Sequence, residues 1–217
     1  MRVEPFRDRF EAGRQLAEGL ERHRGSNAVV LGLPRGGVPV AYEAARTLEL
    51  PLDVFVVRKL GLPGQPELAM GAVAGGGTRV LNEDVLLAAG VEEETLERVA
   101  GEESAELERR ERLYRGDRPP LELRNRDAIL VDDGLATGSS MRAAVHALRD
   151  REVSAVTVAV PIAPEETCDA LAPDVEEIVC LRTPRPFLSV GTWYEDFSQT
   201  TDQQVRELLD RVATRPA

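Results

Sequence analysis

Cysteine is almost absent. The chain holds only Cys168 and Cys180, and with no further Cys or His at metal-ligand spacing beside them they exclude a zinc site and a disulfide framework, leaving buried or half-buried thiols. Histidine is as scarce: neither His23 nor His146 has a sequence neighbour that would make a catalytic pair, so both are read as structural. Lys59 is the single lysine, every other basic residue being arginine, a bias that fits genome composition or heat tolerance and excludes nothing about function. Positive charge is in deficit as well. With 27 Lys and Arg against 38 Asp and Glu the formal net charge is -11, which speaks against nucleic acid as an obligate partner, because a phosphate-binding face needs a basic stripe. No apolar run is long enough for a membrane span, and Met1-Arg2-Val3-Glu4-Pro5 runs straight into charge, so neither a membrane nor a signal peptide is expected and the protein is read as cytoplasmic.

What remains is an ordinary hydrophobic content, 42% over 217 residues, enough for a single α/β domain spanning residues 1–217. The chain is organised around Ala128-Ile129-Leu130-Val131-Asp132-Asp133-Gly134-Leu135-Ala136-Thr137-Gly138-Ser139-Ser140-Met141. Its first four residues, two of them β-branched, read as a strand buried on both faces of a parallel sheet. The strand ends on two carboxylates, placed where open α/β sheets bind ligands. Small and hydroxyl-bearing residues follow and lead into a helix with Met141, Ala144, Val145 and Leu148 on one face. Such a turn holds phosphate, since the amides at a helix N-terminus lack partners and small side chains let an anion reach them. The acids, being acceptor-only, suit vicinal hydroxyls or a cation such as magnesium. A ribose 5-phosphate meets both demands. Receiver domains and aspartyl phosphatases also place acids after a strand, but after the first strand of the chain, whereas here they fall past its midpoint.

Val131-Asp132-Asp133 with Leu135-Ala136-Thr137-Gly138-Ser139-Ser140 resembles the phosphoribosyl pyrophosphate loop of the type I phosphoribosyltransferases. The resemblance implies that Asp132 and Asp133 contact the ribose 2- and 3-hydroxyls, and touch magnesium only through ribose or water. It also implies that Ala136, Thr137, Gly138, Ser139 and Ser140 bind the 5-phosphate. A second segment, Gly32-Leu33-Pro34-Arg35-Gly36-Gly37-Val38-Pro39, follows an apolar run from Ala28 and precedes a helix from Val38 to Leu48. It is similar to the pyrophosphate loop of purine-type members. There Gly36 and Gly37 would turn backbone amides toward the diphosphate, Arg35 would meet the leaving group's charge, and the bond into Arg35 is the expected cis peptide.

The remaining elements are read from the same patterns. Asp8 to His23 form a helix with Phe10, Ala17 and Leu20 on its packing side. Leu52 to Val57 form a second buried strand, with Arg58 and Lys59 emerging after it either as ligands of the pyrophosphate or as solvated charges. Gly61 to Pro66 read as a mobile connector, and Leu68 to Ala74 with Thr78 to Leu81 as a hairpin. Residues about 61–81 thus match the family's water-excluding lid, which carries Glu67 without a role assigned to it. A short helix follows from Glu83 to Ala89, capped by Asn82 and Gly90. A longer one runs from Glu92 to Arg115, its stripe of Leu96, Val99, Leu107 and Leu113 covering a sheet or joining a homo-oligomer contact. Strands at Ala155 to Val160 and Val175 to Leu181 flank a helix starting at Pro164. Thr201 to Gln204 make a capping box for a last helix.

Of the scarce aromatic residues, one Trp, three Tyr and five Phe in all, Phe187, Trp193, Tyr194 and Phe197 fall together in Thr183 to Phe197. By resemblance this is part of a hood, residues about 183–199, that receives the base. Trp193 is the first choice for stacking, and Phe187 or Tyr194 the second, the alternative being that these rings close a small core. The expected fold is a parallel sheet flanked by helices, with a β-ribbon lid and a small C-terminal hood. The expected reaction moves ribose 5-phosphate from phosphoribosyl pyrophosphate to a nitrogenous base, a purine by resemblance, with Mg2+ as cofactor. Arg35, Asp132 and Asp133 would act on the reacting groups. Ala136 stands where hypoxanthine-guanine members have a proton-exchanging aspartate, so no residue is assigned that role. The alternative is a regulator that senses the donor or a nucleotide without turnover.

Overall fold

The computed structural model describes residues 4–213, apart from the side chains of Pro66, Glu67 and Ala213. Five parallel strands form the main sheet: β1 (Val29–Gly32), β2 (Leu52–Val54), β6 (Asp127–Val131), β7 (Ala155–Ile162) and β8 (Glu177–Arg182), in the order β2-β1-β6-β7-β8. Both faces are covered, and the strands show it. Val30, Ile129 and Val131 enter one apolar cluster with α1 (Arg9–Gly19), α2 (Gly37–Leu48) and α7 (Asp202–Ala213), while Val29, Leu31, Ala128 and Leu130 enter another with α5 (Ser139–Arg149). This two-sided burial is why the strands read as unbroken apolar runs. Helices link β1 to β2, β6 to β7 and β7 to β8, and the direction of travel reverses between β1 and β6. Their carboxyl ends therefore frame the crevice where open sheets take ligands.

β3 (Val57–Leu62), β4 (Gln65–Ala74) and β5 (Thr78–Leu81) make a separate antiparallel sheet in the order β3-β4-β5. Two expectations are corrected here. The strand expected over Leu52 to Val57 is two strands, because the Val56 carbonyl accepts the Gly75 N–H instead of continuing along β1. Arg58 and Lys59 accordingly sit inside β3, on opposite faces, rather than on a loop. The expected two-stranded ribbon is also three-stranded, with Gly61 and Leu62 belonging to β3 and only the tight turn at Gly64 (φ 84°) connecting. The inner part of this sheet is core: Leu60 and Met70 are fully buried in the apolar cluster that includes Leu96, Val99 and Leu107 of α4 (Glu93–Arg115). Pro63, Gly64, Gln65 and Leu68 are exposed. The side chain of Glu67 lies outside the described residues.

Local signals otherwise act where expected. Asn82 caps α3 (Glu83–Ala89), Gly90 closes it in the left-handed region, and Thr201 and Gln204 exchange the two bonds of a capping box. On α1, Ala17 and Leu20 are buried as expected, together with Ala12 and Leu16, while Phe10 is 37% exposed; at Gly13 the helix approaches α2 so closely that a Cβ would fall 2.5 Å from the Val40 carbonyl. Among the described residues no helix is long and apolar enough to cross a membrane.

Between β8 and α7 the chain is mostly irregular, and the N-terminus holds it. Phe6 exchanges backbone bonds with Trp193 and Glu195, and Phe6, Ala12, Ile162 and Tyr194 form a small cluster against which Phe187, Val190 and Trp193 pack.

Candidate functional site

The two loops singled out in the sequence meet at the reversal point. The first runs Leu33 to Gly37, from β1 into α2 (the peptide Pro34-Arg35 is cis). Leu33 N–H donates to the Val131 carbonyl, stitching this loop to the end of β6. The second carries Asp132 and Asp133. The fit between them is tight: a Cβ on Gly36 would lie 2.0 Å from Asp133 Oδ2, and one on Gly37 2.6 Å from the Val131 carbonyl and 3.0 Å from Asp132 Oδ1. Only a residue without a side chain allows this approach. One expectation needs correction. The Gly37 N–H donates to the Leu33 carbonyl at 3.0 Å and so is not turned toward a diphosphate; Gly37 contributes space.

The acid pair is held from three sides. Asp132 Oδ1 accepts the Asp133 N–H at 2.9 Å, Asp133 Oδ2 accepts from Arg9 Nε at 2.7 Å, and the Asp133 carbonyl accepts from the Tyr194 hydroxyl at 2.6 Å. Burial and the charge of Asp133 push the Asp132 carboxyl well above the usual carboxylate range. Burial raises Asp133 too, against the opposing pull of Arg9. Tyr194, packed between Phe6 and Phe197, is itself raised by burial. It was a candidate for base stacking. Instead it is 6% exposed and supports the acids from behind.

The hydroxyl-bearing turn has the opposite character. Ala136, Thr137, Ser139 and Ser140 are exposed. Gly138 caps α5 with φ 70°, and a side chain there would also meet Thr167 at 2.9 Å. The Thr137 hydroxyl donates to that of Ser139 at 3.3 Å and accepts the Ser139 N–H at 3.5 Å. Thr167, at the start of α6 (Glu165–Leu171), donates to the Ala136 carbonyl at 2.7 Å and braces the turn.

The other predicted residues are spread around this centre. Arg35 reaches away from the acids to Asp202 Oδ1 at 3.9 Å; that same oxygen accepts from Tyr114, whose hydroxyl burial and Asp202 push up to about 12. Arg58 is corrected as a pyrophosphate ligand in this conformation: it faces α4, and its Nε lies 2.6 Å from Glu103. Lys59, on the other face, lines a cavity of about 470 Å³ with Ser139, Arg142 and His146. Trp193 is half-buried in the N-terminal cluster, and its Nε1 is buried without a hydrogen-bond partner among the described residues.

Arg9, Thr167 and Asp202 were missed by sequence reasoning. Arg9 lies 124 positions from the carboxylate it holds, and nothing in its own surroundings distinguishes it from the chain's other arginines. Asp202 opens α7 as a residue inside a capping box, which is what it also does.

A parallel α/β sheet with a glycine loop, an acid pair and an open hydroxyl turn at its reversal point belongs to the proteins that bind sugar phosphates or nucleotides. The comparison with known sequences narrows the class. The model of the phosphoribosyl transferase domain matches residues 3–183, and the chain belongs to that family. It is 47% identical over 206 residues to two proteins of Mycobacterium tuberculosis, from strains CDC 1551 / Oshkosh and H37Rv, the first named "Putative phosphoribosyl transferase MT0597". The alignment covers 95% of this chain and 46% of each of those, so the chain spans about half the length of the curated relatives it matches. The crystal structure of TT1426 from Thermus thermophilus superposes with a TM-score of 0.85 at 45% identity, covering 94% of this chain and 97% of that one.

Proposed function

We propose that the protein is a phosphoribosyltransferase that moves ribose 5-phosphate from phosphoribosyl pyrophosphate to the ring nitrogen of a base, a purine by preference, and releases pyrophosphate. The observation that carries this is the contact of Gly36 and Gly37 with Asp132 and Asp133. It brings the loop suited to a diphosphate within one sugar's width of the loop suited to ribose hydroxyls and a 5-phosphate.

No protein nucleophile is required. The chemistry is positioning and charge. The exposed hydroxyls of Thr137, Ser139 and Ser140 and the opening amides of α5 hold the 5-phosphate, and Asp132, with the free oxygen of Asp133, accepts from the ribose hydroxyls. Their negative charge lies beside the anomeric carbon, where positive charge develops as the bond to pyrophosphate lengthens. Arg35 is the cation on the leaving-group side, at the end of a side chain 36% exposed and weakly paired at 3.9 Å, so it moves onto the diphosphate at little cost. The oxygen-only donors of the acid pair fit magnesium. Among the described residues no group of three or more His, Cys, Asp or Glu could hold a metal, so Asp132 and Asp133 would share the ion with the substrate's oxygens. When bound, it neutralises charge on the leaving pyrophosphate. The outer end of the β3-β4-β5 sheet is the lid that keeps water from the cationic sugar.

A second reading, a sensor of the donor without turnover, draws on one observation: Arg58 and the Gly37 amide, both expected on the pyrophosphate, are used elsewhere. Pyrophosphate release measured with phosphoribosyl pyrophosphate, magnesium and a panel of purine, pyrimidine and pyridine bases decides between them. Release with one base supports the transferase and names its acceptor. Donor binding with no release from any base establishes the sensor.

A further inference from the structure

Arg9 opens the first helix, an element expected only to pack, yet its side chain ends in the proposed active site. Its Nε lies 2.7 Å from Asp133 Oδ2, its Nη1 2.8 Å from the Ser198 carbonyl, and its guanidinium carbon 3.9 Å from the centre of the Phe197 ring and 5.9 Å from that of Tyr194. The side chain is 10% exposed. A guanidinium so fixed presents its bond in one direction. The oxygen it holds is the one nearest the pyrophosphate loop, 2.0 Å from where a Cβ on Gly36 would be. The backbone of the same aspartate is held by the Tyr194 hydroxyl. Backbone and side chain of Asp133 are therefore both immobilised, the first from the segment 194–198 and the second from α1.

That arrangement divides the acid pair. Asp132 has its neighbour's amide as its one hydrogen-bond donor from the described residues, and no cation bonded to it. Asp133 has a dedicated cation on one oxygen and keeps only the other for a ligand. An ion pair whose sole purpose was stability would be a poor choice at this depth, since desolvating two charges offsets most of their attraction. Placement is what the pair supplies.

We propose that Arg9 is a positioning residue of the phosphoribosyl site: by holding Oδ2 of Asp133 against the Gly36 loop, it sets the orientation in which the other oxygen meets the sugar, and makes the N-terminal helix part of donor recognition. This rests on the transferase reading above and deepens it.

The test compares Arg9→Gln and Arg9→Lys with the unaltered full chain, using melting temperature together with KM for phosphoribosyl pyrophosphate, KM for the accepted base, and kcat. Arg9→Gln is expected to raise the donor KM roughly 10- to 100-fold, the range of lost outer-shell partners, while the base KM stays within about twofold. Arg9→Lys restores the charge without the fixed fork, and is expected to recover about half of that loss on a logarithmic scale. A folded Arg9→Gln chain whose donor KM is unchanged overturns the proposal. So does a donor KM and a base KM that rise together in step with a lower melting temperature, which marks a residue that merely supports the fold. If Arg9→Gln does not fold, Arg9→Lys decides alone: an unchanged donor KM rejects the role. An unaltered chain that neither binds donor nor releases pyrophosphate brings down the transferase reading, and this inference with it, whereas an active chain indifferent to Arg9 brings down this inference alone.

Discussion

Asp132-Asp133 and Thr137-Ser140 belong to one loop and are built on opposite plans. The acids are half-buried, and bonds from the Asp133 amide, Arg9 and Tyr194 reach them. The hydroxyls stand in solvent, and among the described residues those of Thr137 and Ser139 bond only within the turn. The acid half is thus set before any ligand arrives, against the cost of two carboxylates in a low-dielectric crevice. The hydroxyl half costs little to keep, because its groups stay in water. Preorganised charge is the more effective in catalysis, because the protein need not rearrange as the reaction proceeds, while solvent-facing hydroxyls suffice for binding.

If this division holds, substitutions in the two halves separate activity from stability. Asp132→Asn is expected to lower kcat/KM about a hundredfold, as for loss of a preorganised electrostatic group, and yet to raise the melting temperature near neutral pH. The sign follows from the raised carboxyl. The folded chain holds that proton more tightly than the unfolded chain, so the group's contribution is fully present below the usual carboxylate range and is lost as pH rises through the raised value. Melting temperature against pH should therefore decline less steeply on the alkaline side of about pH 4 for Asp132→Asn than for the native chain. An equal decline would mean that Asp132 is not the strained group.

Gly37→Ala is expected to cost about 2 kcal/mol in denaturant titration, since its new methyl would meet the Val131 carbonyl and the Asp132 Cα, both backbone and unable to yield. Donor binding, read by calorimetry, should vanish with it. Tyr194→Phe removes one neutral hydrogen bond to the Asp133 carbonyl and should cost about 1 kcal/mol of stability. Ser139→Ala tests the open half. Its stability should stay within about 0.5 kcal/mol of native, while donor affinity falls about fivefold for one lost hydroxyl bond. A Ser139→Ala chain that unfolds easily would mean that the turn is not the unconstrained half.

The two plans also explain what could be read from the sequence. The hydroxyl turn is local: strand, glycine, hydroxyls and amphipathic helix follow one another, and the structure places them in that order around Gly138. The five-stranded sheet was legible for a similar reason, since burial on two faces leaves unbroken apolar runs at Val29 and Ile129 and one interrupted only by Thr157 at Val156. The support of the acids is not local. Arg9 and Tyr194 come from opposite ends of the chain, and no periodicity links either to Asp133. The break between β2 and β3 was hidden because Val54, Phe55, Val56 and Val57 are apolar in succession. Only the Gly75 amide shows where one sheet stops and the next begins. The tail's rings were visible as a group, but their shared use, bracketing a guanidinium, depended on a residue nearly two hundred positions away.

The small antiparallel sheet carries its own instruction about movement. Its pairing register slips twice between Leu60 and Leu62, on either side of Gly61, and that slip coincides with the passage from residues fully buried against α4 to residues facing water. The inner portion cannot swing without uncovering Leu60 and Met70. What lies free of the core is thus a short arm beyond Gly61, some three residues on each strand and about 10 Å long, rather than the whole ribbon.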